Sequence, residues 1–157
     1  MSDWISYSGP YYNQNEYYAA IKTLLDGWLV FGPKCREFEK KFSEKMGKKF
    51  GVFVNSGSSA NLLMMAAAKS ENGLAFPVGT KIITPAVCFP TTINPIIQMG
   101  FEPVFVDVEL PNLNINLDLV EEKLKDDPSI KGLCFAHVAG NPPDTVSYTH
   151  LTLPTKA

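Results

Sequence analysis

From residue 50 onward the sequence alternates between short apolar runs and amphipathic segments, and this alternation restricts the fold more than any other feature. Runs that are apolar at nearly every position are typical of strands buried on both faces of a parallel sheet. The predicted strands are 50–54, 81–84, 102–106 and 130–136, and the predicted helices between them are 59–70, 92–99 and 118–125. The pattern therefore predicts an α/β fold, with helices on both faces of a mostly parallel sheet.

Two further amphipathic helices are predicted before this alternation begins, at 16–26 and 34–46. They are followed by Gly27 and Gly47, and glycine commonly ends a helix. We therefore expect residues 1–49 to form an N-terminal helical lead-in to the α/β region.

The turn between the first predicted strand and the next helix reads Asn55-Ser-Gly-Ser-Ser-Ala-Asn-Leu-Leu63. A turn from a strand into a helix presents free backbone N–H groups and the positive end of the helix dipole, which together attract anions such as phosphate. Gly57 lets the backbone approach a ligand closely, and Ser58 and Ser59 can cap the helix and donate hydroxyl hydrogen bonds. The same residues would equally suit a serine-capped helix that binds nothing.

Several common ligand-binding and catalytic motifs are absent from the sequence. It has no GxGxxG, GxxxxGK[ST] or GxSxG, which argues against a Rossmann site, a P-loop and a nucleophile elbow. A phosphate-bearing organic cofactor remains the best candidate ligand.

Phe89, held by Pro90 after the second predicted strand, could stack on a planar ring or could be a core residue. His137 ends the last predicted strand, and the ends of parallel strands share the edge where ligands bind.

The composition argues against other classes of protein. The net charge is −2, the pI is near 5.7 and there is no basic stripe, so we expect no nucleic-acid partner. The widely spaced Cys35, Cys88 and Cys134 form neither a zinc-binding pair nor a disulfide framework, so we expect no metal site. No signal peptide or membrane-spanning apolar run is evident, which predicts a cytoplasmic protein without membrane contact.

An ordered set of short motifs resembles one family of enzymes. The motifs are Gly32-Pro33 with Phe38-Glu39, Asn55-Ser-Gly-Ser-Ser-Ala-Asn-Leu62, Phe89-Pro-Thr-Thr92, Pro103-Val-Phe-Val-Asp107, and Ala136-His137 with Gly140-Asn-Pro142. Their order and spacing over residues 25–144 are similar to those of the DegT-type, pyridoxal-phosphate-dependent sugar aminotransferases and dehydratases. Within that family they look most like the NDP-4-keto-6-deoxyhexose 3-dehydratase branch.

The resemblance implies part of the large domain of a fold-type-I enzyme that binds pyridoxal 5′-phosphate (PLP) or pyridoxamine 5′-phosphate (PMP). Gly57 and Ser58 would hold the cofactor phosphate with Ser59 close by, and Phe89 would stack on the pyridine ring. His137 would lie near the sugar or cofactor, or would hold a loop.

The implied activity of the parent protein is C3 dehydration of a nucleotide-linked 4-keto-6-deoxyhexose in deoxysugar (polysaccharide or lipopolysaccharide) biosynthesis. A PLP-dependent sugar-nucleotide aminotransferase of the same family is the nearest alternative. The alternative of another class is a non-catalytic module that binds phosphate or a nucleotide.

The resemblance places the catalytic residues of the family outside this sequence. A Schiff-base lysine, or the histidine that replaces it in dehydratases, is expected beyond the C-terminus, so we expect none here. The match fails after Asp144, and residues 145–157 look like a non-native tail on a truncated chain that is inactive alone, with 50–144 as a partial PLP-binding domain. For the full-length protein the resemblance implies a nucleotide-sugar substrate, a homodimer, and the reductase partner and iron–sulfur cluster of reductase-coupled dehydratases.

Overall fold

The computed structural model of the protein describes residues 9–144, and the chain divides into two compact units, Met1–Phe53 and Val54–Ala157. In the first unit, helix α1 spans Gln14–Leu25 and helix α2 spans Pro33–Lys45, which confirms both predicted N-terminal helices. A capping pair starts α1, because the Asn15 N–H donates to the Asn13 side chain at 2.9 Å and the Asn13 N–H donates to Glu16 at 2.7 Å.

The prediction of a strand at 50–54 is wrong. These residues are extended but pair with no other strand in the described part of the chain, and the Phe50 side chain is 77% exposed. The Phe53 N–H donates instead to a carboxylate oxygen of Glu39 at 2.8 Å. An apolar run forms a strand only where a neighbour supplies ladder hydrogen bonds, and no such neighbour lies beside this run among residues 9–144.

The second unit contains a three-stranded parallel sheet and the helices that flank it. The strands are β1 (Lys81–Pro85), β2 (Glu102–Val106) and β3 (Ile130–Leu133), and the helices are α3 (Gly57–Lys69), α4 (Pro90–Gln98) and α5 (Leu117–Asp126). The strand order is β2-β1-β3, and Ile83 lies between Val104 and Leu133. The predicted strand–helix alternation is therefore confirmed after residue 57.

Strand β3 is shorter than the predicted strand at 130–136, and its neighbour explains why. The Cys134 N–H still donates to the Ile83 carbonyl at 2.8 Å. In the parallel register the next bond would run from the N–H of residue 85 to the Cys134 carbonyl, but Pro85 has no N–H to donate. The ladder therefore stops, and Phe135 to His137 leave the sheet.

Each face of the sheet carries its own apolar cluster. On the face covered by α3 and α4 the buried residues are Met65, Ile82, Ile96, Phe101 and Cys134. On the face covered by α5 they are Ile83, Val106, Ile115, Val120 and Ile130. The predicted parallel sheet with helices on both faces is thus confirmed.

Helix α3 is less buried than its apolar sequence predicts. Met65 lies in the core, but Leu63 and Met64 are exposed. Among the described residues of this unit, α3 packs mainly against α4, so one side of the helix is covered.

The chain reverses its direction across the sheet after β2. From β1 the chain crosses through α4 to β2 on one side, and from β2 it crosses back through α5 to β3 on the other side. Right-handed crossovers in opposite directions place their helices on opposite faces, as the two apolar clusters require. The carboxyl ends of the three parallel strands therefore lie at one edge of the sheet, the edge where open α/β sheets bind ligands.

Candidate functional site

The turn before α3 is held by hydrogen bonds among its own serines. Ser56 is the N-cap residue, and its hydroxyl oxygen accepts the Ser59 N–H at 3.2 Å. The Ser59 hydroxyl donates to the side-chain oxygen of Asn55 at 2.6 Å. The prediction that Ser58 and Ser59 cap the helix is therefore wrong by position, because a serine accepts from the N–H two or three residues later and Ser56 has that spacing to Ser59.

Because Ser56 occupies the cap, the next two residues keep their hydrogen-bonding groups free. Gly57 and Ser58 are exposed, and neither backbone N–H donates to any residue between 9 and 144. A Cβ added to Gly57 would meet no atom within 4 Å, so the space beside this residue is open. Two free N–H groups, the Ser58 hydroxyl and the positive end of a helix dipole make a donor set that suits a phosphate group.

Helices α3 and α4 lie side by side and run in the same direction. The Asn61 side-chain N–H donates to the Thr91 carbonyl at 3.1 Å, and the Lys69 Nζ donates to the Met99 carbonyl at 2.9 Å. Both contacts join residues 30 positions apart, so the helices keep one register between them. Their N-termini therefore lie together at the edge where the parallel strands end.

The loop between β1 and α4 presents Phe89 at this edge. Phe89 is the N-cap residue of α4, its side chain is 70% exposed, and Pro90 occupies the first helical position. The Phe89 carbonyl accepts the Thr92 N–H at 2.9 Å, which fixes the backbone behind the ring. The alternative that Phe89 is a core residue is wrong, and a ring face is available at this edge.

His137 lies four residues beyond the end of β3 and is exposed. Its ring packs 5.8 Å from the ring of Phe135, and its carbonyl accepts the Gly140 N–H at 3.1 Å. The side chain does not cap the short 3₁₀ turn Val138–Gly140. The His137 backbone thus shapes the loop, while the imidazole is at the strand-end edge of the sheet.

Two thiols lie beside the start of α4 and are held in the neutral form. The Cys134 Sγ donates to the Thr92 carbonyl at 3.9 Å, and the Cys88 side chain interacts with the Thr92 hydroxyl. Burial raises the pKa of the Cys134 thiol and also that of the Cys88 thiol, although the Thr92 hydroxyl partly opposes the second effect. Neutral thiols are poor nucleophiles, so neither cysteine has the environment of a reactive residue.

Four of the described lysines of this unit lie away from the strand-end edge. Lys81 opens β1 at the opposite edge, where its Nζ pairs with Asp127 at 2.7 Å. The hydrogen bond from Lys81, aided by Ser129, lowers the pKa of Asp127 to about 2. The Lys69 Nζ is bound to the far end of α4, Lys125 pairs with Glu121 at 2.6 Å, and the Lys131 Nζ donates to the Pro128 carbonyl, also on the far side.

Asp107 is the acidic residue that directly follows β2. Its carboxylate accepts the Val108 N–H at 2.8 Å, and its carbonyl accepts the Asn116 N–H at 3.0 Å. Both bonds hold the turn that follows β2. Among residues 9–144 no three His, Cys, Asp or Glu side chains gather as metal ligands. In the same range, no helix has the length and apolar character needed to cross a membrane.

The sequence-based predictions did not identify the roles of two residues at this edge, Ser56 and Asn61. The Ser56 cap could have been found from its spacing to Ser59, which is the usual N-cap spacing. The contact between Asn61 and Thr91 had no local signal, because it depends on two helices that pack side by side although 30 residues separate them in sequence.

Comparison with known proteins supports the resemblance seen in the sequence. The chain is 40% identical over 136 residues to the lipopolysaccharide biosynthesis protein RfbH of Salmonella typhimurium, covering 85% of this chain and 31% of that protein. It is 36% identical over 134 residues to the GDP-4-keto-6-deoxy-D-mannose 3-dehydratase of Yersinia pseudotuberculosis, covering 85% and 34% respectively.

Among solved structures, the chain superposes on the E. coli GDP-4-keto-6-deoxy-D-mannose-3-dehydratase with bound hydrated PLP. The TM-score is 0.83 at 31% identity, with 92% of this chain and 36% of that one covered. The chain thus spans about a third of the length of these relatives. The profile of the DegT/DnrJ/EryC1/StrS aminotransferase family matches residues 10–152, and the chain belongs to this family.

Proposed function

We propose that the protein to which this chain belongs is a PLP- or PMP-dependent enzyme that removes the C3 hydroxyl of a nucleotide-linked 4-keto-6-deoxyhexose. Its products would enter deoxysugar biosynthesis, including that of lipopolysaccharide. The similarity to proteins named as 3-dehydratases, and to one such structure with PLP bound, supports this choice.

One feature of the structure carries the proposal. The free N–H groups of Gly57 and Ser58 lie at the N-terminus of α3, and the exposed ring of Phe89 lies at the adjacent N-terminus of α4. A cofactor that joins a phosphate to a planar ring requires this combination of an anion site and an aromatic face.

The site residues would contact different parts of the cofactor or substrate. Gly57 and Ser58 would hold the phosphate through backbone N–H groups and the Ser58 hydroxyl, with Ser59 supporting the turn. Phe89 would stack on the ring and exclude water from that face. His137 would contact the sugar or order the loop beside it. When bound, the cofactor supplies an electron sink for the bonds around the keto group.

Lys69, Lys81, Lys125 and Lys131 make contacts away from this edge of the second unit, and we place the group that transfers protons to and from the sugar outside residues 9–144. Its identity separates the two enzymatic candidates. A lysine there would indicate an aminotransferase, the activity for which the family is named, and a histidine would indicate a dehydratase.

The remaining parts of the proposal concern the intact protein. We assign residues 50–144 to part of its cofactor-binding domain and 1–49 to a helical lead-in. We further propose that it is a cytoplasmic homodimer, that a reductase partner completes the reaction, and that an iron–sulfur cluster, where present, is bound by cysteines outside this chain.

Binding and turnover together test the function. The intact protein is titrated with PLP by absorbance, and then incubated with PMP and an NDP-4-keto-6-deoxyhexose whose product is analysed by mass spectrometry. Loss of the C3 oxygen is the expected result, whereas an amino group at C4 with the C3 oxygen retained would identify an aminotransferase. Binding of phosphate or nucleotide without PLP binding would instead support the non-catalytic module and refute both enzymatic candidates.

The variant Gly57→Ala tests the site itself. Its added Cβ meets no protein atom within 4 Å, so folding should be unchanged, but it would occupy open space beside the backbone that a bound phosphate would approach. We expect PLP affinity to fall about tenfold, a change of about 1.4 kcal/mol in binding free energy. Ser70→Ala, at the other end of α3, is the control and should bind PLP as the wild type does. Unchanged affinity in Gly57→Ala would rule out this phosphate site.

A further inference from the structure

The hydrogen bond between Asn61 and Thr91 fills a gap that the sequence of α4 creates. In an α-helix the carbonyl of residue 91 would accept the N–H of residue 95. Residue 95 is Pro95, which has no N–H, so the Thr91 carbonyl loses its helical partner. The half-buried Asn61 side chain supplies the missing donor from the neighbouring helix at 3.1 Å.

This bond joins the two parts of the proposed cofactor site. Asn61 lies three residues after Ser58, less than one turn along α3. Thr91 lies two residues after Phe89, in the first turn of α4. A bond between them therefore ties the turn with the free N–H groups to the loop that carries the aromatic ring.

Resting on the proposed function, we propose that Asn61 is a positioning residue, which sets the distance between the phosphate-binding turn and the Phe89 ring. It touches neither part of the cofactor and acts only through the Thr91 carbonyl. Pro95 makes the arrangement possible, because a carbonyl already bonded within its helix would have less capacity to accept a side chain from outside.

The far end of the same helix pair provides a matched control. The Lys69 side chain donates to the Met99 carbonyl at 2.9 Å and joins α3 to α4 as Asn61 does, but beside the opposite edge of the sheet. Lys69→Met removes that second tether and leaves the site untouched. Asn61→Leu removes the first tether and keeps the side-chain volume similar.

The experiment measures PLP affinity, the affinity of inorganic phosphate as a competitor, the induced circular dichroism of bound PLP, and thermal stability, all in the intact protein. We expect Asn61→Leu to weaken PLP binding about five- to tenfold, the loss that corresponds to one hydrogen bond. Phosphate affinity should stay within about twofold, because the Gly57 and Ser58 donors remain. The induced dichroism should change, since the ring is no longer held in one orientation, and Lys69→Met should alter none of these three signals.

The double variant Asn61→Leu/Pro95→Ala distinguishes two possible roles of Asn61. One is to position α3 relative to α4, and the other is only to give the Thr91 carbonyl a hydrogen-bond donor. The change Pro95→Ala would return an N–H to the Thr91 carbonyl within α4, so thermal stability should recover relative to Asn61→Leu. PLP affinity and dichroism should not recover, because the tether to α3 is still missing.

Recovery of both signals in the double variant, or wild-type PLP binding in Asn61→Leu, would overturn the positioning role alone. Failure of the wild type to bind PLP would overturn the proposed function and this inference with it. If Asn61→Leu alone does not fold, the double variant, whose carbonyl is satisfied, carries the same comparison.

Discussion

Thr84 gives a prediction of unusual sign, because a polar-to-apolar change should stabilise the protein. Thr84 lies in β1 on the face covered by α3 and α4, and it is 0% exposed. Its hydroxyl has no hydrogen-bond partner among residues 9–144. Thr84→Val keeps the shape and the β-branched character of the side chain and replaces the unpaired hydroxyl with a methyl group.

The expected gain follows from the two groups exchanged. A buried polar group without a partner costs about 1–3 kcal/mol, and a buried methylene-sized group contributes about 0.8 kcal/mol. We therefore expect Thr84→Val to raise the free energy of unfolding by about 2–4 kcal/mol. Thr84→Ser keeps the hydroxyl but removes a methyl group, and should lower it by about 1 kcal/mol.

Urea unfolding of the intact apo-protein checks these values, with the transition midpoint compared at constant m. Thr92→Val is the matched control, because Thr92 is also buried but its hydroxyl interacts with the Cys88 side chain. That control should be neutral or destabilising. If Thr84→Val destabilises the protein as much as Thr92→Val does, the Thr84 hydroxyl has a partner and the reasoning fails.

Two further predictions use the same unfolding assay. Gly73→Ala should lower the free energy of unfolding by about 1–3 kcal/mol, because the new Cβ would lie 2.0 Å from the Ala67 carbonyl oxygen, and a neutral result would contradict that packing. Asp127 has a pKa lowered from 3.8 to about 2 by Lys81 and Ser129, so its stabilising effect is present above about pH 4 and is lost as the pH falls to 2. Asp127→Asn should flatten stability over that window, and an unchanged acid profile would argue against the ion pair.

Periodicity located most of the second unit, because local patterns determine local structure. Strand β2 and helices α4 and α5 lie where the apolar spacing predicts them. The predictions of strands were wrong where hydrogen bonding to a residue distant in sequence determines whether a strand forms. The run at 50–54 has no pairing strand among residues 9–144, and β3 ends early because Pro85, in the adjacent strand, cannot donate a hydrogen bond.

In the candidate site, too, the predictions came from local patterns, and a contact with a distant residue was missed. The strand-end rule predicted Gly57, Phe89 and His137 at one edge from sequence alone, although Gly57 reaches that edge through the packing of α3 against α4 and not through a strand at 50–54. The side chain that links the first two could not be predicted, because Asn61 has no special spacing and its acceptor is a carbonyl in another helix. Pro95 was visible in the sequence, but its effect on the Thr91 carbonyl required knowledge of what packs against α4.

The common 30-residue offset of the two α3–α4 contacts has a consequence for how this chain tolerates changes in length. An insertion in the turn at 71–80 would change the offset of both contacts equally and could be absorbed at the surface. One extra residue inside α3 or α4, between the two contacts, would rotate everything beyond it by about 100° and shift it by about 1.5 Å, so only one contact could survive. We expect relatives to keep eight residue steps between the paired positions in both helices, and to vary in length outside these helices, as in the loop at 71–80.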